Sequence, residues 1–112
     1  MMKLLVFVLN NIDLLDDLLE NFIKTGIKGA TIIESTGMAR VLTSNGHADI
    51  PIFGSLKLIL SAMQPFNKTI FVALKNEEVD KCIKCIKEVV GNLDTPNSGI
   101  LFTLPIDYIE GL

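Results

Sequence analysis

Hydrophobic and polar positions alternate between two kinds of period along this chain, and the switches between them mark its elements. Leu4 to Leu9 is an unbroken apolar run of strand length, as expected of a strand buried on both faces. Ile12, Leu15, Leu18, Leu19, Phe22 and Ile23 then recur at spacings of three and four, the stripe of an amphipathic helix. Asn11 or Asp13 is placed to cap that helix, because a short side-chain oxygen satisfies free backbone N–H groups. Asp16, Asp17 and Glu20 lie toward its start and Lys24 near its end, matching the helix dipole. Gly26 supplies the left-handed stop.

Lys28 to Thr36 reads as a second strand, entered by a tight turn at Gly29 and opening at Gly37 into a long polar segment. This order predicts a mobile loop at the end of a central strand. Gly37 to Phe53 has no clear period, and Ser55 to Met63 reads as a short helix ended by Pro65. Thr69 to Leu74 is the third strand. Asn76 is placed to cap a second long helix with the stripe Val79, Cys82, Ile83, Ile86, Val89 and Val90, ended by Gly91. Ile100 to Leu104 is the fourth strand, and Pro105 forces it to an edge or an end.

The order is β-α-β, loop, short α, β-α-β over a single domain, residues 1–112. It predicts an α+β, ferredoxin-like βαβ-βαβ sandwich: a four-stranded antiparallel sheet with both long helices on one face, and a short extra helix between strands 2 and 3. The strands do not alternate cleanly with polar residues, so the other face is also apolar. Self-association is the simplest cover for it.

Composition narrows the chemistry. Apolar residues make up 49% and charged residues 21% of 112 positions, a globular balance. A net charge of −3 and one Arg among scattered Lys argue against nucleic acid, which needs clustered cations. The apolar start is too short to span a bilayer and lacks a small-residue cleavage site. With two cysteines expected to be reduced, the reading is a cytoplasmic protein with no direct membrane insertion.

Two segments point to a family. Gly26-Ile27-Lys28-Gly29-Ala30-Thr31-Ile32-Ile33-Glu34 resembles the Gly-Ile/Val-x-Gly-x-Thr helix-to-strand turn of the PII (nitrogen regulatory) signal-transduction proteins. Gly37-Met38-Ala39-Arg40 is similar to the Gly-x-Gly-Arg that opens their T-loop, which makes residues 37–54 a T-loop-like segment. The first strand, the Lys75–Val79 junction and the last strand fall in register as well. The resemblance implies a homotrimer that senses a small effector in inter-subunit clefts, with ATP, ADP or another adenine nucleotide the family's ligand. It implies control of a partner enzyme or membrane transporter through loop 41–53, in settings such as nitrogen regulation, and no catalysis of its own.

On that reading the cleft is built from Gly37, Met38, Ala39 and Arg40 of one subunit and Asn97, Ser98 and Gly99 of the next. Thr31, two residues past Gly29, is a candidate to bring its hydroxyl there. Arg40 would hold an anionic group bidentately, and Gly37 would turn backbone N–H groups toward it. Read alone, the same residues are a surface ion pair, an ordinary turn and a strand threonine.

The departures bear on the ligand. The loop has no Tyr to modify, Val41 replaces the family's Gln, Ala39 its second Gly, and Ile100 the Lys that ends the phosphate-binding B-loop. Beyond the last strand, Glu110 and Gly111 stand where the family supplies Arg. Each lost charge-assisted contact is worth about 1.5–3 kcal/mol, so a triphosphate would be held more weakly or replaced by another ligand.

Other chemistry finds little support. Cys82 and Cys85 form a Cys-x-x-Cys, but mid-helix, with Cys82 on the apolar stripe and Cys85 about 100° from its centre, which reads as packing. His47 and Asp49 are thin metal ligands for one chain. They sustain the alternative reading, a trimeric metal-binding protein resembling the copper-tolerance ferredoxin-like trimers. No Ser-His-Asp, Cys-His or phosphate-cradling Gly-rich motif is present.

Overall fold

The computed structural model describes residues 1–38, 66–95 and 98–112. The loop readings from Ala39 onward, the helix expected at 55–63 and the pair His47 and Asp49 lie outside the described residues. Four strands and two long helices are seen: β1 (Met2–Leu9), α1 (Leu15–Thr25), β2 (Thr31–Thr36), β3 (Phe66–Lys75), α2 (Val79–Val90) and β4 (Ile100–Ile106).

Each helix begins with a short 3-10 turn, and each turn has a local reason. Before α1, the side-chain carbonyl of Asn11 accepts from the Asp13 N–H at 3.3 Å. Before α2, the Glu78 carboxylate accepts from the Lys75 backbone N–H at 2.9 Å. The capping oxygen there belongs to Glu78 and not to Asn76, because the chain makes one 3-10 turn over Asn76–Glu78 before the α-helix starts. At the other end of α1, Gly26 takes φ 95°. Its N–H reaches the Ile23 carbonyl at 3.1 Å, and the Ile27 N–H reaches Phe22 at 2.8 Å, closing the last carbonyls of the helix.

The strands form one antiparallel sheet in the order β2-β3-β1-β4. This is the ferredoxin-like arrangement, and it corrects one expectation. β2 is an edge strand, not a central one, because β3 returns between it and β1. β2 also starts at Thr31 rather than Lys28: residues 27–30 are irregular, and Gly29 makes no tight turn. β4 holds the other edge and tolerates Pro105 there, as expected.

Alternate residues of the central strands build the core. Leu5, Phe7 and Leu9 of β1 and Ile70, Val72 and Leu74 of β3 cluster with Leu18 and Phe22 of α1 and Cys82, Cys85 and Ile86 of α2. Cys85 is thus buried beside Cys82, although the stripe set it apart. It faces α1, where its carbonyl accepts from the Asn21 side-chain amide at 3.0 Å. Its Sγ lies 3.4 Å from the Thr25 hydroxyl, which itself donates to the Asn21 carbonyl.

The residues between these point to the opposite face. Cross-strand rows run Val6 beside Phe71 and Phe102, Leu4 beside Ala73 and Leu104, and Val8 beside Thr69 and Ile100. Val6 at the centre is buried, yet Ile100, Phe102 and Leu104 are 62%, 44% and 47% exposed and Ile33 of β2 is 48% exposed. Among the described residues, helices cover only one side of the sheet, and the other side carries these partly exposed apolar side chains.

Candidate functional site

The strand register fixes where the expected site residues fall. The end of β2 (Thr36, then Gly37 and Met38), the start of β3, the end of β1 and the start of β4 (preceded by Ser98 and Gly99) share one end of the sheet. Two strands lie between β2 and β4, so Gly37 and Gly99 of one chain are about 14 Å apart at ~4.8 Å per strand. Thr31 opens β2 at the opposite end, about 17 Å from Thr36 at ~3.4 Å per residue. Ala39, Arg40 and Asn97 lie outside the described residues. Within one chain, then, the described candidates occupy three separate places.

Each place has its own local geometry. Gly99 takes φ 126°, and a Cβ there would sit 2.4 Å from the Val8 carbonyl oxygen and 3.1 Å from the Phe7 ring. Glycine is required by that close approach alone. Before it, the Ser98 hydroxyl donates to the Thr95 carbonyl at 2.6 Å, and the Asp94 N–H donates to the Asn92 side chain at 2.9 Å. The loop into β4 is therefore held by its own side chains. Gly37 does not use the left-handed region, and a Cβ there would meet the Asn67 amide nitrogen at an ordinary 3.6 Å.

Beside Gly37 lies a polar cluster that the sequence pattern did not reveal. The Ser35 hydroxyl is hydrogen-bonded to the Asn67 side-chain carbonyl and lies 2.8 Å from the Thr69 hydroxyl. These three residues interrupt the apolar open face at the root of the 39–65 segment. Only the pairing of β2 with β3 brings them together, and about thirty residues separate them in the chain. On the opposite face Lys68 contacts Glu34 at 2.7 Å, and that charged hydrogen bond holds the Glu34 carboxyl below its usual range.

Thr31 belongs to a groove of about 680 Å³ at the far end of the sheet. Its walls include Ile27, Lys28, Ala30, Phe71 and Lys75. It is mostly apolar, with the cations Lys28 and Lys75 and the carboxylate Glu78 also on its walls. Near the C-terminus the Tyr108 hydroxyl donates to the Glu110 carboxylate, which raises the phenol pKa.

Burial pushes the Cys82 thiol up to about 12, with the neighbouring Cys85 and Glu78 adding to it. It is a packed side chain, the opposite of an activated thiolate. Among the described residues no three His, Cys, Asp or Glu side chains come together to hold a metal. Among them, too, no helix is long and apolar enough to cross a membrane.

No family model matches the chain, and no curated protein matches it in sequence. Solved structures do. A functionally unknown protein from Pediococcus pentosaceus ATCC 25745 superposes with a TM-score of 0.64 and 19% identity, over 99% of this chain and 97% of that one. Arabidopsis thaliana PII bound to citrate superposes with a TM-score of 0.64 and 14% identity, over 94% of this chain and 77% of its own. At these identities the likeness establishes a shared PII-like, ferredoxin-like fold.

Proposed function

We propose that this chain is a PII-like regulatory protein, a cytoplasmic homotrimer that senses a small anionic ligand and carries out no catalysis itself. One observation supports this reading above the rest: a single chain leaves both its site and its sheet unfinished. Gly37 and Gly99 stand on opposite edges of the sheet, and among the described residues nothing covers the apolar face beneath them. Neighbouring copies would supply both. Met38, Ala39 and Arg40 following Gly37 on one copy would then meet Asn97, Ser98 and Gly99 on the next.

The ligand class follows from the charges. Arg40 is the chain's one guanidinium, and Lys28 and Lys75 edge the groove that contains Thr31. An adenine nucleotide with few phosphates, or a compact polycarboxylate, fits this modest cationic supply better than a triphosphate does. One structural neighbour was crystallised with citrate, itself a small polyanion. Ligand binding would favour one arrangement of the 41–53 segment, and that arrangement would be read by a partner enzyme or transporter.

Light scattering tests the assembly, with three times 12.3 kDa expected. Calorimetric titration with ADP, ATP, AMP and citrate tests the ligand. Arg40→Ala should weaken the binding of whichever titrates by about tenfold to a hundredfold, the worth of one charge-assisted contact. Unchanged affinity in that variant removes Arg40 from the cleft.

A further inference from the structure

One position in the core-facing row of β3 breaks the pattern. Ile70, Val72 and Leu74 of that row are buried against the helices. Two residues before Ile70 the row carries Lys68, opposite Leu9 of β1, which is itself fully buried. A cation placed where a hydrophobe would sit needs a counter-charge, because burying an ammonium alone is costly. The Lys68 side chain keeps only 20% of its surface in solvent, and among the described residues its one ion partner is Glu34, at 2.7 Å. Glu34 reaches it from the edge strand with a side chain 88% accessible. The stem of the cation is held in place, while its counter-ion stands in water. Ion pairs with so exposed a partner contribute little, so Glu34 is easily exchanged.

Beside this nitrogen lies a cavity of about 320 Å³, lined by Ile12, Glu34, Ser35, Phe66, Asn67 and Lys68. That volume is at the small end of ligand sites. Ile12 comes from the 3-10 turn before α1 and Phe66 from the start of β3, and they meet solvent over 37% and 49% of their surfaces. The cavity thus joins an apolar wall to one fixed positive charge. Three separate elements build it: the turn before α1, β2 and β3.

We propose that this cavity binds a small carboxylate with an apolar tail, the tail against Ile12 and Phe66 and the carboxylate in place of Glu34 on Lys68. Exchanging one carboxylate for another on Lys68 is close to neutral, and Glu34 returns to water that already surrounds most of it. Removing the tail from water then drives binding. A tail ending in an alcohol has no charge to replace that of Glu34, and one ending in an amine meets Lys68 as a like charge. The site lies within one chain and uses neither Arg40 nor a second copy, so it stands apart from the sensor reading above.

Hexanoate is the probe, titrated into isotope-labelled protein and followed by NMR. It should shift the Ile12 methyl and Phe66 ring signals to saturation, and hexanol and hexylamine should bind at least tenfold more weakly. From butanoate to hexanoate, each added methylene should tighten binding about twofold to fourfold. Lys68→Met keeps the stem and drops the charge, and should weaken hexanoate about tenfold or more. Glu34→Gln removes the competing carboxylate from an exposed position, and should tighten hexanoate about twofold to fivefold.

Hexanol bound as tightly as hexanoate overturns the proposal, and so does weaker binding of hexanoate to Glu34→Gln. Absence of any shift at Ile12 and Phe66 up to the solubility limit of hexanoate overturns it as well. If Lys68→Met fails to fold, Glu34→Gln and the alcohol comparison still decide. The mass in solution and the nucleotide and citrate titrations judge the sensor reading separately, so either reading can fail alone.

Discussion

Among the described glycines, Gly99 has the least room for a side chain, and its reason is packing. A Cβ at 2.4 Å from the Val8 carbonyl cannot be accommodated without moving β1 or β4, and φ 126° is itself unfavourable for any side chain. Gly99→Ala should cost about 2–4 kcal/mol in urea denaturation, combining backbone strain with overpacking. The sequence marks this glycine as part of a loop motif but not as a contact with Phe7 and Val8, which lie some ninety residues away. Cys82 shows the same limit from the other side. Its stripe position announced burial, and burial sets its chemistry: a thiol whose ordinary pKa is 9.0 is pushed up to about 12. The folded state favours the neutral thiol, so this contribution to stability is complete below about pH 9 and is lost as pH rises toward 12. Thermal melts across that window should show a falling midpoint in the wild type and a flatter one in Cys82→Ala. Thiol-directed reagents should leave Cys82 unmodified at pH 8 until the chain unfolds.

At the level of elements, helices were the most legible parts of the sequence, because their signals are local. The α1 stripe, the Asn11 cap and the Gly26 stop all lie within one continuous stretch and need no tertiary partner. Gly26→Ala forces a side chain into the left-handed region and should cost about 1–2 kcal/mol by denaturant titration. Strand limits were less legible. β3 begins at Phe66, three residues before its apolar pattern does, because pairing with Thr36, Ser35 and Glu34 of β2 extends it. β2 loses Lys28 to Ala30 for the converse reason: no strand pairing reaches them, and they line a groove instead. The capping of α2 passed from Asn76 to Glu78 through a turn that no spacing rule announces.

For the whole molecule, the order of elements along the chain pointed to the correct fold but not to which residues become neighbours. That difference decides the site. The glycine motifs around Gly37 and Gly99, assigned in sequence to neighbouring subunits, lie on opposite edges in one chain, and the Ser35, Asn67 and Thr69 cluster became visible only once the register was known. The uncovered sheet was legible beforehand, because strands without polar alternation must be apolar on both faces. Phe102→Asp, on that open face, should leave a folded chain of single mass, checked by light scattering together with circular dichroism, since Phe102 already meets solvent over 44% of its surface. The strand order also sets a timetable. β1 is made early, yet both of its sheet partners, β3 and β4, come from the later part of the chain, and β2 can join only through β3. β1 and β2 do not pair with each other, so among the described residues a nascent chain stopped before residue 66 has no strand pair to form. Closing such distant pairs is entropically slow, so sheet formation should begin only once β3 has left the ribosome, at a rate nearer that of β sandwiches than of helical bundles.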